Sequence, residues 1–166
     1  MKIAVISDIH DNLSTLNIFF ELIAKETEEN KIENIICCGD VTNEKTLKEL
    51  SLKFTKTIYL IKGNGEIYQE ENLEKYKNIK YLGRYNTIEL GNFKIGICHE
   101  PIFIKTLLEK EKNLNFIFYG HTHKPWLSMK NKATIINPGT LGGVFQKSSF
   151  AIWDSNNGKI KLKLLH

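Results

Sequence analysis

The sequence predicts an α/β fold in which two β-sheets face each other with helices on the outside. The first part of the chain alternates short apolar strands with amphipathic helices, an order that implies right-handed crossovers and a helix-covered parallel sheet. The later part carries a hairpin and then a run of short strands separated by turns, which reads as antiparallel. Length agrees: 166 residues amount to one domain, 1–166, able to bury about 70% of its unfolded surface.

Lys2–Ser7 is a β-branched apolar run that ends in a polar cluster, the mark of a buried strand. A helix follows, capped by Asn12 or Ser14, with Asp11 also available, and Leu13, Leu16, Phe19, Phe20 and Ile23 form its apolar face. Glu33–Cys38 is a second strand closed by Gly39-Asp40. Glu44–Phe54 is helical by pattern, Thr57–Ile61 is a third strand, and Gly63-Asn64-Gly65 is a turn in which Gly65 is expected at positive φ. Thr87–Leu90 and Phe93–Cys98 flank Gly91-Asn92, a strong hairpin signal. A helix over Ile102–Lys112 and the strand Phe116–Tyr119 come next. Trp126–Met129, Thr134–Ile136, Phe150–Trp153 and Ile160–Leu164 complete the strands, with turns at Asn131-Lys132 and Asn157-Gly158.

Composition narrows the function classes. A hydrophobic content of 42% with 25% charged residues excludes disordered and fibrous chains. No apolar run approaches the ~20 residues that span a bilayer, and Asp8, His10 and Asp11 interrupt the apolar start as no signal-peptide core would tolerate. Three cysteines without CxxC spacing argue against a disulfide framework. The expectation is a cytoplasmic protein with no membrane contact. The net charge of +4 does not point to nucleic acid. Arg84 is the one arginine, and the lysines interleave with glutamates in KETEENK and LEKEKN, as on a solvated helix face.

The chemistry sits at strand ends. Asp8 and His10 follow the first strand, Asp40 the second, Asn64 the third, His99 the strand Phe93–Cys98, and His121 and His123 the strand Phe116–Tyr119. Ligands of open α/β sheets bind beyond the carboxyl ends of the strands. Alternation would turn Asp8 with His10, and His121 with His123, toward one point. Each motif alone is weak, since Asp-x-His is usually a turn acid beside a surface histidine. Five strand ends that each deliver a metal-capable side chain are not. Carboxylate, imidazole and amide oxygen without thiolate suit a catalytic divalent ion, not a structural zinc.

The ordered set Ser7-Asp8-Ile9-His10, Gly39-Asp40, Gly63-Asn64, His99 and Gly120-His121-Thr122-His123 resembles the calcineurin-like metallophosphoesterase family. With the short length, Asn137-Pro138-Gly139-Thr140 makes the chain look like the compact phosphodiesterase branch. The resemblance runs from Ser7 to Thr140. It implies a four-layer α/β/β/α sandwich of two mixed sheets that holds two divalent ions, Mn2+ first, with Ni2+, Co2+, Fe2+ or Zn2+ as alternatives. By this resemblance Asp8, His10 and His123 bind one ion, Asn64, His99 and His121 the other, and Asp40 bridges them. Asp40, Asn64, His99 and His123 would carry catalysis, and Asn64 and His99 would also hold substrate.

The function implied is a dinuclear metal-dependent phosphodiesterase, which hydrolyses small phosphodiesters by attack of a metal-bridging hydroxide. The alternatives are a phosphomonoesterase, or a protein-binding scaffold that keeps the metallophosphoesterase fold. All seven ligand positions are chemically competent here, which favours the enzyme. Nucleic acid is not an expected partner, because no basic groove interleaved with aromatics shows. A homo-oligomer is compatible with the sequence.

Two departures from the family stand out. Many larger relatives carry a leaving-group histidine after Gly-Asn; here that position is Gly65, followed by Glu66. General-acid help is typically worth 10²–10⁴-fold with poor leaving groups, so substrates narrow to those that leave readily. After His99 stands Glu100, expected to cap the following helix; if it faced the ions it would repel an anionic substrate. Cys37, Cys38 and Cys98 read as small inert hydrophobes, and Trp126 and Trp153 as core or edge packing.

Overall fold

Lys2–Ile6 forms strand β1. Ile3 and Val5 point to one face, Ala4 and Ile6 to the other, and all four are buried. A strand apolar on both faces needs a layer on each side, and the chain supplies both. The computed structural model describes residues 1–25 and 31–165. The KETEENK stretch, read above as a solvated helix face, falls largely on residues 26–30, outside the described residues.

Asn12 caps helix α1 (Leu13–Ala24), its side chain accepting from the Thr15 amide at 3.2 Å. The helix buries Leu16, Phe19, Phe20 and Ile23 against the sheet. Strand β2 (Ile32–Cys37) pairs parallel with β1. Asn43 caps helix α2 (Glu44–Lys53), which buries Leu47 and Leu50 and leads to β3 (Thr57–Leu60).

A six-residue 3-10 helix (Glu70–Lys75) and a short strand β4 (Ile79–Tyr81) follow, neither of which was expected. Three residues that pair on one side only, with one of them exposed, leave too little apolar periodicity to read. The remaining elements are β5 (Tyr85–Leu90), β6 (Phe93–Cys98), α3 (Ile102–Lys110), β7 (Phe116–Phe118), β8 (Trp126–Lys130), β9 (Ala133–Asn137), β10 (Ser149–Asp154) and β11 (Ile160–Leu164).

Two mixed sheets result, in the orders β11-β10-β1-β2-β3-β4 and β5-β6-β7-β9-β8. The late strands do pair antiparallel, β8 with β9 and β10 with β11. They divide between the sheets, however: β9 joins β7 in parallel, while β10 returns to lie beside β1. Ile3, Val5, Ile36 and Cys38 meet Ile95, Ile97, Phe118 and Ile136 between the sheets. Trp153 lies in this layer, its ring edge-on to Phe93, Phe116 and Phe118 at 5.2–5.7 Å. Truncating it to alanine would cost about 3–5 kcal/mol. Outside the second sheet, Leu107 of α3 packs with Ile117 and Ile135. The four expected layers are all present.

Candidate metal centre

Strands β1, β2, β3, β6 and β7 release their chains toward one end of the sandwich, and Asp8, Asp40, Asn64, His99, His121 and His123 sit just beyond. His10 completes the set. The convergence is as expected, but strand alternation does not produce it. Asp8 (φ 54°), His10 (46°), Asp40 (54°), His121 (68°) and His123 (58°) all stand in the left-handed region. Non-glycine residues rarely adopt it, and they hold it only where neighbours over-determine the backbone.

Those neighbours are visible. Asp8 N–H donates to Gly39 O at 3.0 Å, and the amides of Ile9 and His10 both donate to Asp40 O at 2.9 and 3.0 Å. Gly39 (φ +98°) permits the packing: a Cβ there would lie 2.8 Å from Gly63 N and 2.9 Å from His99 Nδ1. The Asn137 amide donates to Gly120 O at 2.8 Å and to the Thr122 hydroxyl at 3.0 Å, while the Thr140 hydroxyl donates to Asp8 O at 2.8 Å. The Asn-Pro-Gly-Thr segment thus ties β9 to both the Asp8 loop and the Gly-His-Thr-His loop.

Donor atoms then meet at short range. His123 Nε2 lies 3.2 Å from Asp8 Oδ1 and 3.1 Å from His10 Nε2. His10 Nε2 is 3.7 Å from Asp8 Oδ1 and 3.6 Å from Asp40 Oδ2. His99 Nε2 is 3.4 Å from that same Asp40 oxygen and 3.0 Å from Asn64 Oδ1. His121 Nδ1 lies 2.8 Å from Asn64 Oδ1 on the open side. Among the described residues, two groups have ligand atoms all within 4.8 Å of one another: Asp8, His10 and His123, and Asp8, Asp40 and His99.

Tautomers decide what this cluster wants. His99 Nδ1 faces Cys38 O at 2.7 Å and His123 Nδ1 faces Val144 O at 2.9 Å. A carbonyl accepts only, so each Nδ1 carries the hydrogen and donates. With Nδ1 carrying a hydrogen, the neutral form of either ring turns a bare Nε2 lone pair toward carboxylate or amide oxygens, which are also acceptors. Such a set is satisfied by a proton or by a cation. The site accordingly fits divalent metal, and the orienting carbonyl behind each imidazole is the usual partner of a metal-binding histidine.

The field has the same sign. His10 is more basic than an ordinary histidine because the Asp8 carboxylate beside it outweighs burial, with Asp40 adding. Burial opposes protonation of His99, yet Asp40 and Asp8 still pull it upward. Burial would raise the Asp40 carboxyl, but His99 and the Gly65 amide hold it below the usual range.

Several side chains depart from expectation. Asp11 does not cap α1; its Oδ1 accepts from Asn43 N–H at 3.1 Å and from the Thr46 hydroxyl at 2.6 Å, bracing the start of α2. Glu100 does not cap α3, whose N-terminal Pro101 has no side-chain cap; its carboxylate lies 3.7 Å from Arg84 Nη2. Gly65 lies outside the positive-φ region, so the constraint there is space: a Cβ would stand 3.2–3.3 Å from both Asp40 carboxylate oxygens. The cysteines are buried as expected, burial pushing all three thiols up, Cys98 to about 12. Trp126 is an edge residue, 54% exposed on β8.

Glu66 is the functional residue that sequence reasoning passed over. Its Oε1 accepts from Val41 N–H at 3.2 Å and Gly63 N–H at 3.3 Å, and its Oε2 accepts from Thr42 N–H at 2.7 Å. Burial raises its carboxyl despite these three donors. It ties the turn after Asp40 to the turn before Asn64. The signal was an acid directly after Gly-Asn-Gly, at the point where two loops must be held together.

Residues 1–158 match the calcineurin-like phosphoesterase superfamily domain. A probable metallophosphoesterase of Methanocaldococcus jannaschii is 31% identical over 148 residues, spanning 84% of this chain and 68% of the relative. A phosphodiesterase of the same archaeon is 28% identical over 147 residues, 86% of each chain. The solved structure of an archaeal phosphodiesterase superposes with a TM-score of 0.84 at 22% identity, covering 99% of this chain and 100% of that one. No helix among the described residues is long and apolar enough to cross a membrane. The strand-end donors and the match over nearly the whole chain lead to one assignment: this chain belongs to the calcineurin-like phosphoesterase superfamily and is a phosphoester hydrolase.

Proposed function

We propose that the chain is a dinuclear metal-dependent phosphodiesterase acting on small diesters in the cytoplasm, as a single domain. The observation that carries this reading is the Asp40 carboxylate. Oδ1 is held by Gly65 N–H at 2.8 Å, which leaves Oδ2 between His10 Nε2 and His99 Nε2 at 3.6 and 3.4 Å. One carboxylate oxygen flanked by two imidazole nitrogens is what a ligand shared between two ions would need.

In this reading Asp8, His10 and His123 hold one divalent ion, and Asn64, His99 and His121 the other, with Asp40 shared. The donor types admit Mn2+, Fe2+, Co2+, Ni2+ or Zn2+, and the family resemblance puts manganese first. When bound, the ions supply Lewis acidity and make hydroxide available near neutral pH. The residues do the rest. The Cys38 and Val144 carbonyls fix the rings of His99 and His123, so the donors do not reorganise as charge develops. Asn64 borders the open side beside His121 and is placed to meet the phosphoryl oxygens. His99, expected to share that role, is buried with Nδ1 on the Cys38 carbonyl and Nε2 turned to the ion side, so it acts as a ligand only. Asp8 and Asp40, with two ions and one hydroxide, leave about +1 net charge, a match for a diester monoanion. At position 65 no side chain offers a proton to the leaving group.

The test is a panel of phosphomono- and diesters assayed after reconstitution with Mn2+, Ni2+, Co2+, Fe2+ or Zn2+, with metal content measured on the same protein. About two ions per chain and preferred diester turnover support the reading. One ion, or preferred monoester turnover, overturns it.

A further inference from the structure

Phe145 stands at the rim of the metal centre with its backbone at φ 62° and 90% of its surface exposed. A bulky side chain adopts that conformation only under constraint. The constraint comes from the cup itself. Gly142 N–H donates to Asp8 O at 2.9 Å, the Asn12 amide donates to Gly142 O at 2.8 Å, and His123 Nδ1–H donates to Val144 O at 2.9 Å. The phenyl ring lies beside the His123 ring in an offset stack, centroids 5.7 Å apart and planes 29° apart. Most of its surface stays open to a ligand.

An exposed phenyl ring returns almost none of the free energy that burial gives, and its backbone is strained as well. Strain of this kind clusters at ligand clamps. Other exposed apolar side chains, such as Trp126, Leu127 and Met129, lie on the edge strand β8. Phe145, by contrast, lies beside a candidate ligand, His123.

Resting on the phosphodiesterase reading, we propose that Phe145 is a specificity-determining residue: a platform on which a nucleobase, carried by one ester arm of the substrate, stacks while the phosphate sits at the metal centre. The spacing is of the right kind. The phenyl ring stands one imidazole out from the donor atoms, and in a nucleotide one ribose separates phosphate from base. A phenyl face offers dispersion and quadrupole contact without hydrogen bonds. It therefore selects for a planar base over an aliphatic arm and does not discriminate among bases.

The test compares two diesters with the same leaving group, thymidine 5′-(p-nitrophenyl phosphate) and methyl p-nitrophenyl phosphate. The Mn2+-loaded wild type, Phe145→Ala and Phe145→Trp are assayed, the exposure of Phe145 making both variants foldable. The wild type should prefer the thymidine ester in kcat/KM. That preference should fall about tenfold in F145A, through KM, and persist in F145W, as stacking energies imply. Disturbance of His123 affects both esters and divides out of the ratio.

Calorimetry reads the same contact without turnover. Thymidine 5′-monophosphate should bind more tightly than ribose 5-phosphate to the wild type, and about equally to F145A. An unchanged preference in F145A, or equal weakening of both phosphates, overturns the proposal. So does a change in sedimentation state without a change in preference, which would make Phe145 a contact between copies. If neither ester is hydrolysed while calorimetry still separates nucleotide from sugar phosphate through Phe145, the diesterase reading fails and the stacking role stands.

Discussion

The Gly65 amide donates to Asp40 Oδ1 at 2.8 Å and so decides which oxygen of Asp40 faces the histidines. In Asp40→Asn the amide oxygen keeps the Gly65 bond and its NH2 turns toward His10 and His99. That group donates to the bare Nε2 of His99 and displaces the ion. Metal affinity and kcat/KM should fall at least about 100-fold, while the metal-free melting temperature holds or rises. Calorimetry with Mn2+ and a thermal melt in chelator check both halves.

Glu66 acts at one remove. A glutamine in its place has one acceptor oxygen for three N–H donors and sets its own NH2 against an amide. Glu66→Gln should lose about 1–3 kcal/mol of stability and about 10–100-fold in metal affinity. Denaturant melts without metal, followed by Mn2+ titration, measure the two separately. Unchanged affinity would remove Glu66 from the positioning of Asp40 and Asn64.

The space at Gly65 governs leaving-group chemistry. With no proton donor there, log kcat/KM should fall steeply as the leaving-group pKa rises, so bis-p-nitrophenyl phosphate far outruns a dialkyl diester. Installing the family's histidine is not a simple remedy, since its Cβ would press on both Asp40 oxygens. Gly65→Ala isolates that pressure: it should weaken metal binding about tenfold with the leaving-group slope unchanged. A flat wild-type plot, with chemistry rate-limiting, would mean that another group delivers the proton.

Protons and metal compete for the same atoms. His10 and His99 are both more basic than usual in the metal-free cup, so their rings begin to take protons above the ordinary histidine pKa. Apparent metal affinity should be highest above those raised values. It should then fall as pH drops through them, by up to about tenfold per pH unit for each proton displaced. Mn2+ titrations at about pH 6, 7 and 8 give the slope; a flat profile would show that these nitrogens are not the ligands.

Chelation should leave the fold standing. The three apolar clusters are built without the donor set, so the circular dichroism spectrum should persist in EDTA. The melting temperature should drop, because ions bound a hundredfold above their Kd add about 2.7 kcal/mol. Loss of the spectrum at room temperature would make the ions structural.

Much of this was legible in the residues. Leu16, Phe19, Phe20 and Ile23 declare α1 by spacing, and Asp8, Asp40, Asn64 and His99 declare the site by falling where strands stop. The means of convergence was not legible. Alternation of extended residues would have sufficed, and nothing in Asp-Ile-His shows that left-handed backbone at Asp8 and His10 does the work, because the bonds that hold it come from Gly39 and Asp40. The roles of Asp11 and Glu100 failed for a related reason: each is bound by a residue far along the chain, Thr46 and Arg84, so local capping rules could not decide. Strand β4 escaped because a three-residue edge strand has no period to detect.

The two tryptophans occupy opposite environments, Trp153 fully enclosed between the sheets and Trp126 half open on β8. The molecule therefore carries two optical channels. Emission from the enclosed indole is shielded from acrylamide and shifted to the blue, and it responds only when the sheets part. The outer indole is quenched at once and follows events at the edge. Resolving the two would separate opening of the sandwich from local fraying in a single unlabelled sample.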